Sequence, residues 1–176
     1  MTARVLIVDD EAQVRHSIAQ WLELGGFSIE TASDADAAMA AIAKHVPHVV
    51  LTDFKMPRKS GLDLMHEIHH SDSDIPVVLL TAHGDVPLAV AAMREGAYDF
   101  LQKPYVPDHL SAVITRAVEQ RNLKLELRRL NDKIAAHEGL EGRLIGTSSA
   151  MTRIREMVAE LASHEGDLIV TGETGT

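Results

Sequence analysis

Three acidic residues, a threonine and a lysine each end or closely follow a short apolar run of the chain. Asp9 and Asp10 follow the first such run, Asp53 the third, Thr81 the fourth and Lys103 the fifth. If these runs are parallel strands of one open sheet, their carboxyl ends meet at a single edge, where the loops converge. The sequence therefore predicts one pocket that holds three carboxyl groups, a hydroxyl and an ammonium.

The composition of this predicted pocket favours phosphoryl chemistry. Three carboxylates without a partner would repel one another, and some would take up protons. A divalent cation removes the repulsion, and oxygen ligands without His or Cys suit Mg²⁺. A carboxylate beside such a metal can attack a phosphoryl group and form an aspartyl phosphate. Asp53 is the candidate nucleophile, with acids on one side to hold the metal and with Lys103 and Thr81 on the other to contact phosphate oxygens. The alternative is an ordinary solvated acidic edge, which five complementary groups at separate places disfavour.

The elements that must position these residues follow from hydrophobic periodicity. Short apolar runs alternate with longer amphipathic ones, which is the pattern of βα units that build a parallel sheet. We predict strands at residues 5–9, 27–31, 48–53, 76–81 and 98–101, and helices near 12–24, 34–45, 60–70 and 86–95. Gly25-Gly26 supplies a helix stop, and Asp34 can cap the next helix. The continuously apolar stretches 5–8 and 49–51 are expected to be central strands, covered by helices on both faces.

Bulk composition excludes several classes of protein. The formal charge of −9 argues against a nucleic-acid grip within this segment, because phosphate backbones require clustered Lys and Arg. No apolar run approaches the roughly 20 residues needed to cross a bilayer. The absence of cysteine excludes disulfides and thiolate metal sites. We therefore expect a cytoplasmic protein without membrane contact.

Five segments, in order and spacing, resemble the signature set of response-regulator receiver domains. They are Leu6-Ile7-Val8-Asp9-Asp10-Glu11, Thr52-Asp53-Phe54-Lys55-Met56-Pro57, Gly61-Leu62, Leu80-Thr81-Ala82 and Lys103-Pro104. The resemblance covers about residues 4–120. It implies an α/β, flavodoxin-like (βα)5 fold with a five-stranded parallel sheet in the order 2-1-3-4-5, extended here by a long C-terminal linker helix.

The same resemblance implies a role for each pocket residue. Asp53 would be the phosphoacceptor, and Asp10, Asp53 and the backbone carbonyl of Lys55 would ligate Mg²⁺, with Asp9 acting through a metal-bound water. Thr81 and Lys103 would bind the phosphoryl group, and Lys103-Pro104 would be a cis peptide. Such domains switch when the threonine turns toward the phosphate and an aromatic residue of the fifth strand turns inward. That aromatic matches Phe100, which lacks the hydroxyl of the commoner tyrosine and whose alternative role is core packing.

A long helical pattern follows the predicted fifth strand. It runs from about residue 110 to 136 without Pro or Gly, after a possible N-cap at Asp108. Leu123, Leu127, Leu130 and Ile134 recur at the four-residue and three-residue steps of a coiled-coil seam. We expect this linker, residues 110–138, to pair with a second copy, and Gly139 and Gly142 to end the helix. The alternative is a single helix that leans on a neighbouring domain.

The last segment, residues 143–176, resembles the start of the AAA+ ATPase domain of activators that work with sigma-54 RNA polymerase. The resemblance lies in Leu144-Ile145-Gly146-Thr147-Ser148 and Ile169-Val170-Thr171-Gly172-Glu173-Thr174-Gly175-Thr176. Between them we predict a helix near 149–162 and a strand at 167–171. The chain stops before the Lys of a phosphate loop, so we expect no ATP hydrolysis. Residues 84–90 and 96–100 look most like regulators of C4-dicarboxylate transport.

One further motif is weighed as a zinc site. His66-Glu67-Ile68-His69-His70 matches H-E-x-x-H, which on a helix can place two imidazoles around zinc. Leu62, Met65 and Ile68 predict the core-facing stripe of this helix, however, which leaves His66 and His70 at its solvent edge without a third ligand. Two side chains make only half a site, so the pattern favours surface histidines.

Two classes of function remain. The first is a regulatory module comprising a receiver (1–120), a helical linker (110–138) and the start of an ATPase domain (143–176). It would accept phosphoryl from a sensor histidine kinase, form homodimers through the fourth and fifth elements and the linker, and reach sigma-54 RNA polymerase and DNA only through domains absent from the chain. Apart from its own phosphorylation and dephosphorylation it would not be an enzyme. The second class is a flavodoxin-like small-molecule binder, which Asp9, Asp10 and Asp53 disfavour by repelling a flavin phosphate.

Overall fold

The computed structural model of this chain describes residues 2–81, 86–143, 146 and 148–161, with the side chains of 86–89 and 134–143 excepted. The strands are β1 (Arg4–Val8), β2 (Ser28–Ala32), β3 (Val49–Asp53), β4 (Val77–Thr81) and β5 (Asp99–Gln102). The helices are α1 (Ala12–Leu24), α2 (Ala35–Lys44), α3 (Gly61–Ser71), α4 (Val86–Arg94), α5 (Pro107–Arg143) and α6 (Ser149–Leu161). The chain divides into two compact units, Met1–Leu125 and Glu126–Thr176.

The first unit is built on one parallel sheet with the strand order β2-β1-β3-β4-β5, as the resemblance implied. Each predicted strand lies within one residue of the observed strand at either end. All residues of β3 and β4 are buried. The continuously apolar runs are explained by this position, because side chains of both faces of these strands enter a core.

Two hydrophobic cores lie on the two faces of the sheet. Successive strand residues alternate between them: Leu6 and Val8 belong to one core, and Val5 and Ile7 to the other. The first core is closed by buried residues of α2, α3 and α4, and the second by buried residues of α1 and of α5 up to Val118. The domain is therefore a sheet between two helical layers.

Local capping follows the sequence signals at two helix ends. The side chain of Asp34 accepts a hydrogen bond from the amide of Ala37 at 2.9 Å and caps α2. Helix α1 ends at Leu24 with Gly25 as its C-cap, and Gly26 follows with φ of 87°, a conformation that glycine adopts at little steric cost. Both predicted boundaries are confirmed.

Helix α5 differs from its prediction at both ends. It begins at Pro107, a first-turn position that proline tolerates because its missing N–H would be unpaired there. At the other end the helix continues through Gly139 and Gly142 to Arg143, so the prediction that these glycines end it was wrong. A glycine in a helix interior costs about 1 kcal/mol relative to alanine, which weakens a helix without forcing it to stop.

The second unit, as far as it is described, contains the remainder of α5 and helix α6. Helix α6 follows Ser148, whose hydroxyl oxygen accepts a hydrogen bond from the amide of Met151 at 3.3 Å. The strand predicted at 167–171 and the glycine-rich segment 172–176 lie outside the described residues. Within the described residues, none of the helices is both long and apolar enough to span a membrane.

Candidate functional site

The carboxyl edge of the sheet brings the predicted pocket residues to one level. Val8 of β1 pairs with Thr52 of β3, so the next residues, Asp9 and Asp53, lie side by side at the carboxyl ends of these strands. Thr81 ends β4 and pairs with Gln102 of β5. Lys103 is the next residue along the chain after that strand pair. The parallel register therefore places the residues where the sequence predicted them.

Lys103 connects the two acidic strand ends directly. Its Nζ atom lies 2.9 Å from Oδ2 of Asp9 and 2.7 Å from Oδ1 of Asp53. Its backbone amide donates a hydrogen bond to the carbonyl oxygen of Thr81 at 2.7 Å. The peptide between Lys103 and Pro104 is cis, which confirms that prediction. Side chains from three separate strand ends thus meet at one ammonium.

Burial changes the titration of the two partners in opposite ways. Removal from water raises the pKa of the Asp53 carboxyl above its ordinary value, and hydrogen bonding and charge from Lys103 only partly offset this. Burial by itself would lower the pKa of the Lys103 ammonium, but its contacts with Asp53 and Asp9 outweigh burial and raise that pKa. Burial therefore disfavours the charged form of Asp53 even though an ammonium lies beside it.

The acids of the first strand end are held by the start of α1. The side chain of Asp9 is fully buried, and its Oδ1 accepts a hydrogen bond from the amide of Glu11 at 2.8 Å. The guanidinium of Arg15 donates to the backbone carbonyl oxygens of Asp9 at 2.6 Å and Asp10 at 3.1 Å. Asp10 itself is exposed. This loop has a fixed backbone and leaves the Asp10 carboxylate open to solvent.

The oxygen donors of the pocket fit a hard divalent cation. Asp9, Asp10 and Asp53 bring three carboxyl groups to this edge against the single ammonium of Lys103. Burial raises the pKa of Asp53, and the charge of Asp9 adds to this, so a further cation would stabilise its carboxylate form. Among the described residues no group of three or more His, Cys, Asp or Glu side chains is arranged to hold a metal ion. The expected ligand set contains only two carboxylates and a backbone carbonyl, with water completing it, so it does not require such a group.

The two predicted switch residues lie on the paired strands β4 and β5. The side chain of Thr81 is buried at the end of β4. Phe100 is half-buried on β5 and packs against the core formed with α2, α3 and α4. Residues 82–85, which follow Thr81, lie outside the described residues. The proposed movements of Thr81 and Phe100 stay predictions.

The H-E-x-x-H segment makes contacts of another kind. Nε2 of His66 lies 2.8 Å from a carboxylate oxygen of Glu95, and a ring nitrogen of His69 lies 3.1 Å from the carbonyl oxygen of Ile75. Glu67 pairs with Lys59 at 2.8 Å. The predicted core stripe is confirmed, since Met65 and Ile68 are fully buried and Leu62 packs against the same core. The motif thus connects α3 to the β3–α3 loop and to the end of α4.

Sequence reasoning missed a buried ion pair at the opposite edge of the sheet. Arg121 of α5 is only 3% exposed, and its guanidinium pairs with the carboxylate of Asp72, directly after α3. One turn later Lys124 lies 3.2 Å from Asp74. The available signal was that Arg121 continues the buried stripe Leu110, Ile114, Ala117 and Val118. A cation on an apolar helix face indicates a buried partner.

Glycine 61 is a second feature whose importance the sequence did not reveal. It begins α3 directly against the carbonyl group of Asp53, where a Cβ atom would lie 2.2 Å from the carbonyl oxygen. Gly61 is part of the resemblance to receiver domains, which implies no role for it. The structure supplies one, since the backbone of the candidate phosphoacceptor leaves no room for a side chain.

Comparison with known proteins gives the family of this chain. A family model described as the response regulator receiver domain matches residues 5–115. The C4-dicarboxylate transport transcriptional regulatory protein DctD of Pseudomonas aeruginosa is 46% identical over 172 residues, which are 98% of this chain and 37% of that protein. The protein of the same name from Rhizobium meliloti is 39% identical, with the same coverage of each. The chain thus spans little more than a third of the length of these curated relatives.

Solved structures agree with this assignment. The receiver domain of NtrX from Brucella abortus is 42% identical, with a TM-score of 0.64 that covers 65% of this chain and 98% of that one. A longer NtrX structure from the same organism is 38% identical with a TM-score of 0.69, covering 92% of this chain and 35% of the other. The small-molecule alternative is not favoured. This chain belongs to the response regulator receiver domain family, and its receiver is of the type found in DctD and other NtrC-family regulators.

Proposed function

We propose that Asp53 is the residue that receives a phosphoryl group from a sensor histidine kinase. One carboxylate oxygen of Asp53 would form a bond to phosphorus while the bond from phosphorus to the kinase histidine nitrogen breaks, and that nitrogen would keep the electron pair. The observation that carries this proposal is the ammonium of Lys103, shared between Asp53 and Asp9 at 2.7 and 2.9 Å. It supplies a fixed positive charge beside the acceptor carboxylate.

Mg²⁺ is the cofactor that this donor set suits. Asp10, Asp53 and the backbone carbonyl of Lys55 would hold it, with Asp9 acting through a bound water, and it would offset negative charge on the phosphoryl oxygens. The exposed position of Asp10, next to the buried Asp9 and at the same sheet edge as Asp53, supports this proposal. Thr81 and Lys103 would contact the phosphoryl oxygens, and the turn of Thr81 would be followed by an inward turn of Phe100.

The output of the module would be a change in dimer contacts. Helix α5 displays exposed leucines at Leu123, Leu127 and Leu130, the spacing of a coiled-coil seam. A homodimer would form through α4, β5 and this helix. Residues 1–120 would act as the receiver, 110–138 as the linker and 143–176 as the start of an AAA+ domain. Control of sigma-54 RNA polymerase at promoters of C4-dicarboxylate transport would reside in the further domains of a longer protein.

The proposed module is regulatory and not an enzyme, apart from the formation and loss of its own acyl phosphate. Since it would signal between a kinase and transcription, we place it in the cytoplasm. Both statements depend on Asp53 being the acceptor.

The test is the mass of the intact protein after incubation with acetyl phosphate and Mg²⁺. Wild type should gain the mass of one phosphoryl group, Asp53→Asn should gain none, and the surface variant Asp108→Asn should behave as wild type. Beryllofluoride binding should follow the same pattern. Equal labelling of wild type and Asp53→Asn would refute the assignment of the site.

A further inference from the structure

The start of helix α3 touches the backbone of the candidate phosphoacceptor. A Cβ atom at Gly61 would lie 2.2 Å from the carbonyl oxygen of Asp53, 3.1 Å from its carbonyl carbon and 3.1 Å from the methyl carbon of Thr52. Real Cβ atoms almost never approach another heavy atom more closely than 3.0 Å. Glycine is required here by close approach and not by an unusual backbone angle.

Neither side of this contact can move aside easily. The Gly61 amide donates to the carbonyl oxygen of Phe54 at 3.0 Å, and the Phe54 amide donates to Leu80 of β4 at 2.8 Å. The Thr52 hydroxyl donates to the carbonyl oxygen of Asp53 at 3.1 Å. The chain on both sides of Asp53 is therefore held by hydrogen bonds.

Helix α3 is fixed as firmly on its own side. Ser60 and Asp63 form a capping box, in which the Ser60 hydroxyl accepts from the Asp63 amide at 3.2 Å and Asp63 accepts from the Ser60 amide at 2.9 Å. The helix also inserts Leu64, Met65 and Ile68 into the core, all fully buried. A methyl group at Gly61 would have to displace either a capped, core-packed helix or the carbonyl group of Asp53.

The carboxylate of Asp53 has little freedom to compensate for such a shift. One oxygen lies 2.7 Å from the Lys103 ammonium, and the other accepts a hydrogen bond from the Lys55 amide at 3.1 Å. A displacement of a few tenths of an ångström changes both distances at once. Because in-line transfer depends on the placement of the reacting oxygen, a misplacement approaching 1 Å can slow a reaction by about 100-fold.

We infer that Gly61 is a positioning residue for phosphoryl transfer. The first turn of α3 braces the peptide of Asp53, and through that peptide it sets the acceptor oxygen relative to Lys103 and the Mg²⁺ ligands. This inference rests on the proposed role of Asp53. It adds a residue that acts without touching the phosphoryl donor, because position 61 must have no side chain for Asp53 to keep its position.

The experiment compares Gly61→Ala with Gly96→Ala in the full chain. Gly96 has φ of 107° in the turn before β5, and a Cβ there would meet only His69, at 3.5 Å. Alanine at either position should lower the melting temperature, by steric overlap at 61 and by backbone strain at 96. The readouts are the initial rate of labelling by acetyl phosphate per folded molecule and the Mg²⁺ concentration that gives half the maximal rate.

We expect Gly61→Ala to be labelled roughly tenfold more slowly than wild type, with a higher requirement for Mg²⁺, and Gly96→Ala to be labelled like wild type. Labelling of Gly61→Ala at the wild-type rate would overturn the inference, and so would equal slowing of both variants. If wild type itself is not labelled, the proposed function of Asp53 fails, and this inference fails with it.

A second variant keeps the inference testable if Gly61→Ala does not fold. Ser60→Ala removes the hydroxyl of the capping box and loosens the first turn of α3 without adding an atom near Asp53. We expect labelling to slow roughly twofold or more while the protein remains folded. The matched control is Ser148→Ala, which removes the cap of α6 and should leave labelling unchanged. A wild-type rate in Ser60→Ala would overturn the inference.

Discussion

The Nζ atom of Lys103 lies 2.7 Å from the carboxylate of Asp53, and the same atom contacts Asp9 at 2.9 Å. One ammonium therefore compensates two buried acids. Burial, which is the largest cause, raises the pKa of Asp53 despite this direct ion pair, and the nearby charge of Asp9 adds a smaller contribution in the same direction.

Replacing Lys103 by methionine removes the fixed positive charge beside the acceptor oxygen. We expect labelling by acetyl phosphate to slow by roughly 100-fold, the scale of losing one preorganised charge partner of a transition state. The exposed Lys44→Met is the control and should retain the wild-type rate. A labelling rate for Lys103→Met within twofold of wild type would mean that Lys103 only pairs with Asp53 in the resting state.

Asp53→Asn should stabilise the fold at neutral pH. Because burial raises the folded-state pKa of Asp53 above the ordinary 3.8, the folded protein binds this proton more tightly than the unfolded chain does. Stability therefore falls as pH rises from 3.8 through the folded-state value, and the penalty is complete above it. The variant should melt at a higher temperature than wild type at pH 7, and the difference should vanish below pH 3.8. Thermal melts at several pH values would check this, and a lower melting temperature for the variant at pH 7 would contradict it.

Arg121→Met should destabilise the first unit by about 2–3 kcal/mol, because it leaves a partly buried carboxylate at Asp72 without its guanidinium. The control on the same helix is Arg116→Met. Arg116 lies 3.8 Å from Asp99 with a largely exposed side chain, so its loss should change the free energy of unfolding by less than about 0.5 kcal/mol. Urea unfolding followed by fluorescence of the single tryptophan, Trp21, measures both. Similar effects of the two substitutions would refute a special role for Arg121.

The dimer prediction is tested by placing positive charges at exposed leucines of α5. Leu127 and Leu130 are 60% and 44% exposed, and lysines at both positions should convert a dimer to a monomer. Asp132→Lys adds a lysine on another side of the helix and should preserve the dimer. Light scattering with and without beryllofluoride distinguishes these outcomes. A monomeric wild type under both conditions would remove the seam from the proposed mechanism.

The parts of the fold that follow a repeating physical pattern were predictable. Alternation of β1 side chains between two cores produces a continuous apolar run, and the carboxyl ends of parallel strands meet at one edge, so Asp9, Asp53 and Lys103 could be brought together from sequence alone. The end of α5 could not be placed from sequence. Each glycine there disfavours the helix by only about 1 kcal/mol relative to alanine, which is too little to decide whether the helix stops.

Contacts between distant elements were also beyond the sequence. Gly61 shows no local pattern that indicates the carbonyl of Asp53 within 2.2 Å of a Cβ atom. The partner of Arg121 lies 49 positions away in the chain, on a loop whose polar composition resembles that of any other loop. Both features depend on how the helices pack on the sheet, and the hydrophobic periodicity of the sequence does not specify that packing.

The pairing of Arg121 with Asp72 changes where the receiver can be cut. A fragment ending at residue 120 would contain every residue of the acidic pocket. It would still lack the guanidinium of Arg121, which pairs with Asp72 and holds α5 to the end of α3. The smallest stable piece should therefore extend past Lys124, into the segment that was expected to act as a linker pairing with a second copy. The helix that would carry the signal is thus held to the receiver by ion pairs near its middle, at Arg121 and Lys124.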